Sequence, residues 1–420
     1  MLKATKAYNF ILLFLLFAIL NATFFFVISD FYYVQRLQLP TIFNWNKFLV
    51  GTAIIALAIG TITFVKVRPF IYLFLVIILC VQLFPAVILY EYVHNDFRTV
   101  LSVLILISLI VFFSFIKFKT RSFKLREKEG FNLLIIVSLI GLIPFLIVYF
   151  PHIQLKNLLL IDIYETRGDV TLGVNNLYTT YTYQWFAKYI IPSLLIFSFL
   201  YKRKLVALAS ILAMIFLFLC GANKAVYFGI LMVIIFSYGD HFSKAKYFIL
   251  FLFLVCSFGL LAYIIFDYNE LLRLSIRRLI FIPSILDILY FEFFDNNYLY
   301  WSENILSRWL KSPYNIYHSH LIGIEYFGTE RMNANNGIFS DGFLNWGMAG
   351  VAINSIILSM SLSFISQLNV HSRFFGLYFL LFVAVISSSM TTVLITHGLI
   401  FLLIFSQIFL KDTERSLSEL

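Results

Sequence analysis

The chain has 420 residues, of which 61% are hydrophobic and only 12% charged, with a formal net charge of +10. Soluble domains carry about 45–50% apolar and about 25% charged residues, so the composition argues against a water-soluble fold. It also argues against reading the positive charge as a nucleic-acid surface. The three cysteines, Cys80, Cys220 and Cys256, lie in apolar stretches at spacings that fit no metal motif and indicate no disulfide.

Apolar runs long enough to cross about 30 Å of hydrocarbon recur along the chain. A lipid-exposed backbone must satisfy its own hydrogen bonds, so these runs are expected to be helices. The expectation is an all-α, polytopic transmembrane helix bundle forming a single integral membrane domain over 1–420. About twelve spans are placed at 8–28, 48–65, 70–90, 100–116, 131–150, 186–201, 205–220, 225–239, 247–266, 338–366, 374–391 and 395–410. The first run is too long for a signal-peptide core and no small-residue cleavage site follows it, so it is read as a span. With both termini cytoplasmic, 18 of the 31 Lys and Arg residues fall in inner loops, most of them short, which is the positive-inside pattern. The other 13 lie outside, where orientation does not need them.

The first two outer loops, about 29–47 and 91–99, are short and aromatic and suit the membrane interface. The outer loop 151–188 differs. It carries Arg167 beside Gly168, then Asn175, Asn176 and the aromatic run Tyr178, Tyr181, Tyr183 and Trp185. Aromatic faces next to amides and carboxylates suit sugar recognition, while an interfacial aromatic belt would read the same way. The tight turn Cys220-Gly221-Ala222-Asn223-Lys224 places Lys224 at an outer helix end, where a cation either snorkels or meets an anion.

The longest non-membrane stretch runs from Asp267 to Gly347, with its loop at 267–337. Arg273, Arg277 and Arg278 among leucines resemble an interfacial helix with a cationic face. Glu292 lies among aromatics, where burial would raise its pKa; a solvated carboxylate is the alternative. Pro283 and Pro313 are expected to break helices. His318 and His320, two apart, diverge on a helix and share a face on a strand. The sequence contains no phosphate-binding Gly-rich loop, no dinucleotide fingerprint and no zinc motif. No inner loop is large enough for a nucleotide-binding domain. The outer cations instead suit a lipid-linked diphosphate, which Arg forks bind bidentately. A carboxylate or His could accept the proton of an attacking hydroxyl.

The run Leu321-Ile322-Gly323, Glu325-Tyr326-Phe327-Gly328, Met332-Asn333-Ala334-Asn335-Asn336-Gly337 and Ser340-Asp341-Gly342-Phe343, with Gly347 and Gly350, resembles bacterial oligosaccharide repeat-unit polymerases. These are the O-antigen and capsular polysaccharide polymerases. The outer Arg167-Gly168 pair and the cation Lys224 in a tight outer turn agree with that resemblance. It implies a C-type glycosyltransferase architecture in a bacterial inner membrane, with the active site of loops 151–188 and 267–337 on the periplasmic or extracellular face and no metal or other cofactor. It also implies transfer of the undecaprenyl-diphosphate-linked glycan to an incoming lipid-linked repeat unit, with inversion. A chain-length regulator protein is an expected partner beside membrane lipid. The residues expected to contact diphosphate or sugar are Arg167, Arg331, Lys224, Arg277 and Arg278, with Asn335 and Tyr178. For the proton acceptor Asp341, His318, His320 and Glu292 stay open. The His-Ser-His run also resembles the related O-antigen ligases, and a polysaccharide or lipid flippase is the rival from another class.

Overall fold

The computed structural model describes residues 2–31, 43–93, 96–119, 127–160, 163, 166, 168, 176–304, 306–330, 332–335 and 337–411. Every regular element among them is helical. Eight helices are long and apolar enough to cross a bilayer, and three shorter apolar helices, Arg98–Ser114, Val226–Ile235 and Ser372–Val385, accompany them. The protein is thus a multi-helix membrane protein. Helices lie at all twelve positions expected from the sequence, but Arg98–Ser114, 186–200, Val226–Ile235 and Ser372–Val385 do not meet the length and hydropathy of a full span.

The chain divides into two compact units. The first combines Met1–Lys117, Asp240–Ser366 and Val385–Met390; the second combines Phe118–Gly239, Gln367–Ala384 and Thr391–Leu420. Within the first unit, Pro69–Tyr92 is the central helix. Its apolar window is entirely buried, as expected of a helix hydrophobic on every side. The helices Leu2–Phe26, Trp45–Phe64, Arg98–Ser114 and His241–Phe266 pack around it, and Ile282–Phe293 lies against its last turns and against His318–Phe327. In the second unit, Ile191–Leu200 packs between Lys204–Gly221 and Glu127–Tyr149.

Three prolines widen helices instead of ending them. Pro85, Pro192 and Pro283 each follow a π-helical stretch by two residues: Leu79–Leu83, Phe186–Ile190 and Arg273–Phe281. Proline removes one backbone donor and its ring crowds the carbonyl four residues earlier. Opening the preceding turn relieves that clash without breaking the helix. The break expected at Pro283 is therefore replaced by a wide turn.

A helix hairpin and a buried acid cluster

The expected single span at 338–366 is two pieces. Ile338–Asn345 is helical, then Trp346 (φ −145°, ψ 22°) and Gly347 (φ 57°, ψ −145°) reverse the chain before the helix continues to Gln367. The short piece folds back on the long one. A Cβ on Gly350 would lie 2.0 Å from the Gly342 carbonyl oxygen, so the two glycine backbones touch. Asn354 donates to the Ile338 carbonyl (2.9 Å) and to Asp341 Oδ2 (3.2 Å). Asp341 Oδ2 also accepts the Met390 backbone N–H at 3.0 Å, and Asn345 donates to its Oδ1 at 3.4 Å. Asp341 is fully buried; it joins the two arms of the hairpin through Asn354 and ties the hairpin to Met390.

The carbonyls that end the short helix have no partner within it. They are taken by the strap 299–301: Leu299 N–H donates to the Leu344 carbonyl (2.8 Å) and Tyr300 N–H to that of Asn345 (3.3 Å). Trp301 N–H donates to Asn345 Oδ1 at 2.7 Å. Tyr300 and Trp301 hold left-handed φ of 51° and 59°, a conformation costing roughly 1–2 kcal/mol per residue and stabilised here by those bonds. Two residues further on is Glu303. Its Oε2 lies 2.6 Å from His318 Nδ1, with side-chain exposures of 8% and 2%. An ionised Glu303 accepts the Nδ1 proton, leaving His318 Nε2 with a free lone pair.

Beside this pair, Ser340 donates to Asp287 Oδ1. Burial pushes the Asp287 carboxyl up to about 7, against the opposing Ser340 hydrogen bonds. A carboxyl titrating near neutrality suits proton transfer. The Tyr290 ring lies 6.0 Å from that of His318, and its hydroxyl donates to the Ala334 carbonyl at 2.8 Å. Burial raises the Tyr290 phenol, and the charges of Tyr317, Glu303, Asp287 and Asp341 raise it further. The same Ala334 donates its N–H to the Ser319 carbonyl (3.1 Å), so the Asn333–Asn335 run is fixed over the start of the His318–Phe327 helix.

A raised carboxyl has a sign in stability. Folded Asp287 keeps its proton to about pH 7, whereas the unfolded chain releases it near the ordinary carboxylate value. The stabilisation is full below the unfolded pKa and is lost as pH rises through about 7. The span corresponds to about 4 kcal/mol. Unfolding midpoints of the purified protein are expected to fall between pH 4 and 8, and Asp287→Asn is expected to flatten that fall. An unchanged slope in the variant assigns the effect to another group.

The remaining expected site residues are spread more widely. His320 diverges from His318 and is half-buried, with Nδ1 3.1 Å from the Glu330 carbonyl. Glu292 is exposed and is not buried among the aromatic residues that flank it in sequence. Arg277 lies over the Phe31 ring at 5.0 Å, and Arg278 is exposed among Leu271, Leu274 and Leu279. Arg277 Nε donates to the Arg273 carbonyl at 3.4 Å, so these two residues share one side of the π-helical stretch. Asn335 is exposed. In the second unit, Lys224 opens the Lys224–Ile235 helix and is half-buried. The Tyr178 hydroxyl donates to the Gly141 carbonyl at 3.1 Å, linking its helix to Glu127–Tyr149. Arg167 and Arg331 lie outside the described residues.

Four residues of the cluster escaped the sequence reading: Asp287, Glu303, Asn345 and Asn354. Asp287 had a signal, a lone carboxylate within Ile285-Leu286-Asp287-Ile288-Leu289; Glu303 had none. Arg98, in a loop given no chemistry, pairs with Asp96 and with Asp295 (3.1 Å) and covers the Phe343 ring at 5.1 Å. Among the described residues no group of three or more His, Cys, Asp and Glu is arranged to hold a metal ion. Comparisons with protein-family models, with curated proteins and with solved structures find no match.

Proposed function

We propose that the protein is a polymerase of lipid-linked oligosaccharide repeat units, working on the outer face of a bacterial cytoplasmic membrane with a C-type glycosyltransferase bundle of about twelve spans. The observation that carries this reading is the buried Glu303–His318 pair. The strap that leads to Glu303 is bonded to Leu344 and Asn345, within the stretch 321–350 on which the resemblance to repeat-unit polymerases rests. In this reading an acceptor-sugar hydroxyl attacks the anomeric carbon of the polyprenyl-diphosphate-linked glycan. The new glycosidic C–O bond forms as the bond to the diphosphate breaks, and the electron pair leaves with the diphosphate. His318 Nε2, oriented by Glu303, takes the hydroxyl proton. Cations stabilise the charge that develops on the leaving group; Arg331, Arg277 and Arg278 are assigned that role, and the resemblance alone supports Arg167 and Lys224. A chain-length regulator is the proposed partner, and ligation of finished glycan to another acceptor would use the same chemistry.

A flippase or transporter is the second reading, favoured by interrupted helices at 346–347 and 395–398 and by buried Glu91 and Lys188. Glycan lipids from cells lacking the protein distinguish the readings. Single repeat units on the outer leaflet support the polymerase, whole unligated chains there support the ligase, and repeat units held on the inner leaflet support the flippase. Arg167→Ala and Arg331→Ala are each expected to abolish chain elongation while the protein still inserts. Long polymer of normal length distribution from both variants would remove these two residues from the site.

A further inference from the structure

The second unit buries a cation that the chemistry above does not use. Lys188 is 8% exposed, and its Nζ lies 3.0 Å from His397 Nδ1. Among the described residues no carboxylate is within ion-pair distance of it. An ammonium group has three donors, and the imidazole nitrogen takes one. With Lys188 charged, Nδ1 accepts and the imidazole is neutral, so the pair carries a whole uncompensated positive charge. Removing such a charge from water costs several kcal/mol unless a partner restores it.

The backbone on both sides is shaped around this pair. Pro192 lies four residues after Lys188, and its ring opens the π-helical turn Phe186–Ile190. That turn buries Phe186, Ala187, Lys188, Tyr189 and Ile190 in succession, which a regular amphipathic helix would not do. Opposite, the chain leaves helical geometry between Leu394 and Leu399. The Ile395 carbonyl accepts from Trp185 Nε1 (3.3 Å) and the His397 carbonyl from the Tyr189 hydroxyl (2.7 Å). Gly398 has φ 75°, and a Cβ there would lie 2.6 Å from Trp185 Cδ1. Trp185 and Tyr189 thus satisfy the carbonyls freed by the interruption, while Lys188, between them in sequence, is left with donors to spare. Buried π-helical turns and interrupted helices recur at ligand sites.

We propose that Lys188 and His397 form a buried oxyanion site that binds a phosphate group. Resting on the polymerase reading, the phosphate is that of a polyprenyl diphosphate; a phospholipid head group offers the same chemistry from another source. The ammonium supplies the charge, and His397 fixes its position through Nδ1.

The full chain is reconstituted in phosphatidylcholine nanodiscs, and unfolding midpoints are followed while inorganic pyrophosphate or a short-chain polyprenyl diphosphate is titrated. Parallel discs contain phosphatidylglycerol. The midpoint is expected to rise with diphosphate, and Lys188→Met is expected to weaken the apparent affinity by roughly 30-fold or more. Lys188→Arg is expected to retain most of the response. A response to phosphatidylglycerol alone, lost in Lys188→Met, keeps the phosphate site and assigns it to a head group. The proposal is overturned if the wild type responds to none of the three, or if Lys188→Met and Lys188→Gln respond as the wild type does. Loss of the response with normal outer-leaflet polymer would separate this site from the polymerase reading, which would then stand without it.

Discussion

His318→Gln is expected to abolish chain elongation, and Glu303→Gln to slow it by about 10⁴-fold, as when the acid that fixes the tautomer of a general-base histidine becomes an amide. His318 Nε2 is a base only if Nδ1 keeps its proton, and Glu303 Oε2 at 2.6 Å holds that proton there. Glutamine offers a weaker acceptor and an amide donor, which allows the wrong tautomer. The two residues act as a unit, so the double variant is expected to be no slower than His318→Gln alone. The measurement is polymer formed per unit of membrane-inserted protein from lipid-linked repeat units. Retained elongation in His318→Gln would transfer the proton acceptor to Asp287, whose carboxyl is already pushed up to about 7.

The largest effect on folding is expected at Gly350. A single Cβ there would lie 2.0 Å from the Gly342 carbonyl oxygen and 3.1 Å from Trp346 Cβ. The first of these neighbours is main chain and cannot swing aside. Gly350→Ala therefore has to part the hairpin, which also strains the bonds from Asn354 to Ile338 and Asp341. Such disruption of packed backbone falls among the losses of more than about 4 kcal/mol. The variant is expected to yield little monodisperse protein, with a sharply lowered unfolding midpoint. Gly60→Ala is the control, because nothing lies within 4 Å of its Cβ position. If Gly350→Ala behaves as that control does, the backbone contact does not support the fold.

The hairpin also shows how much a linear reading could see. Gly342, Gly347 and Gly350 were picked out as part of a motif, and each has a structural reason: two permit backbone contact, and one holds φ 57° beneath Tyr298. Hydropathy alone still reads 338–366 as one uninterrupted run, since the reversal at Trp346–Gly347 changes direction and not composition. Glu292 drew attention because aromatic residues flank it in sequence, yet it is exposed. Asp287, five residues earlier, is buried. The difference is which side of the helix meets Ser340, a residue 53 positions away.

The sequence by itself determined that this is a helical membrane protein and roughly where its helices lie. Those properties follow from hydrophobicity and local backbone sterics, which act over a few residues. Only the tertiary structure decided the pairings: Glu303 with His318 across 15 positions, Asp287 with Ser340 across 53, and Lys188 with His397 across 209. Each depends on helices brought together by packing, and burial then gives these polar groups the altered chemistry that composition and spacing do not record.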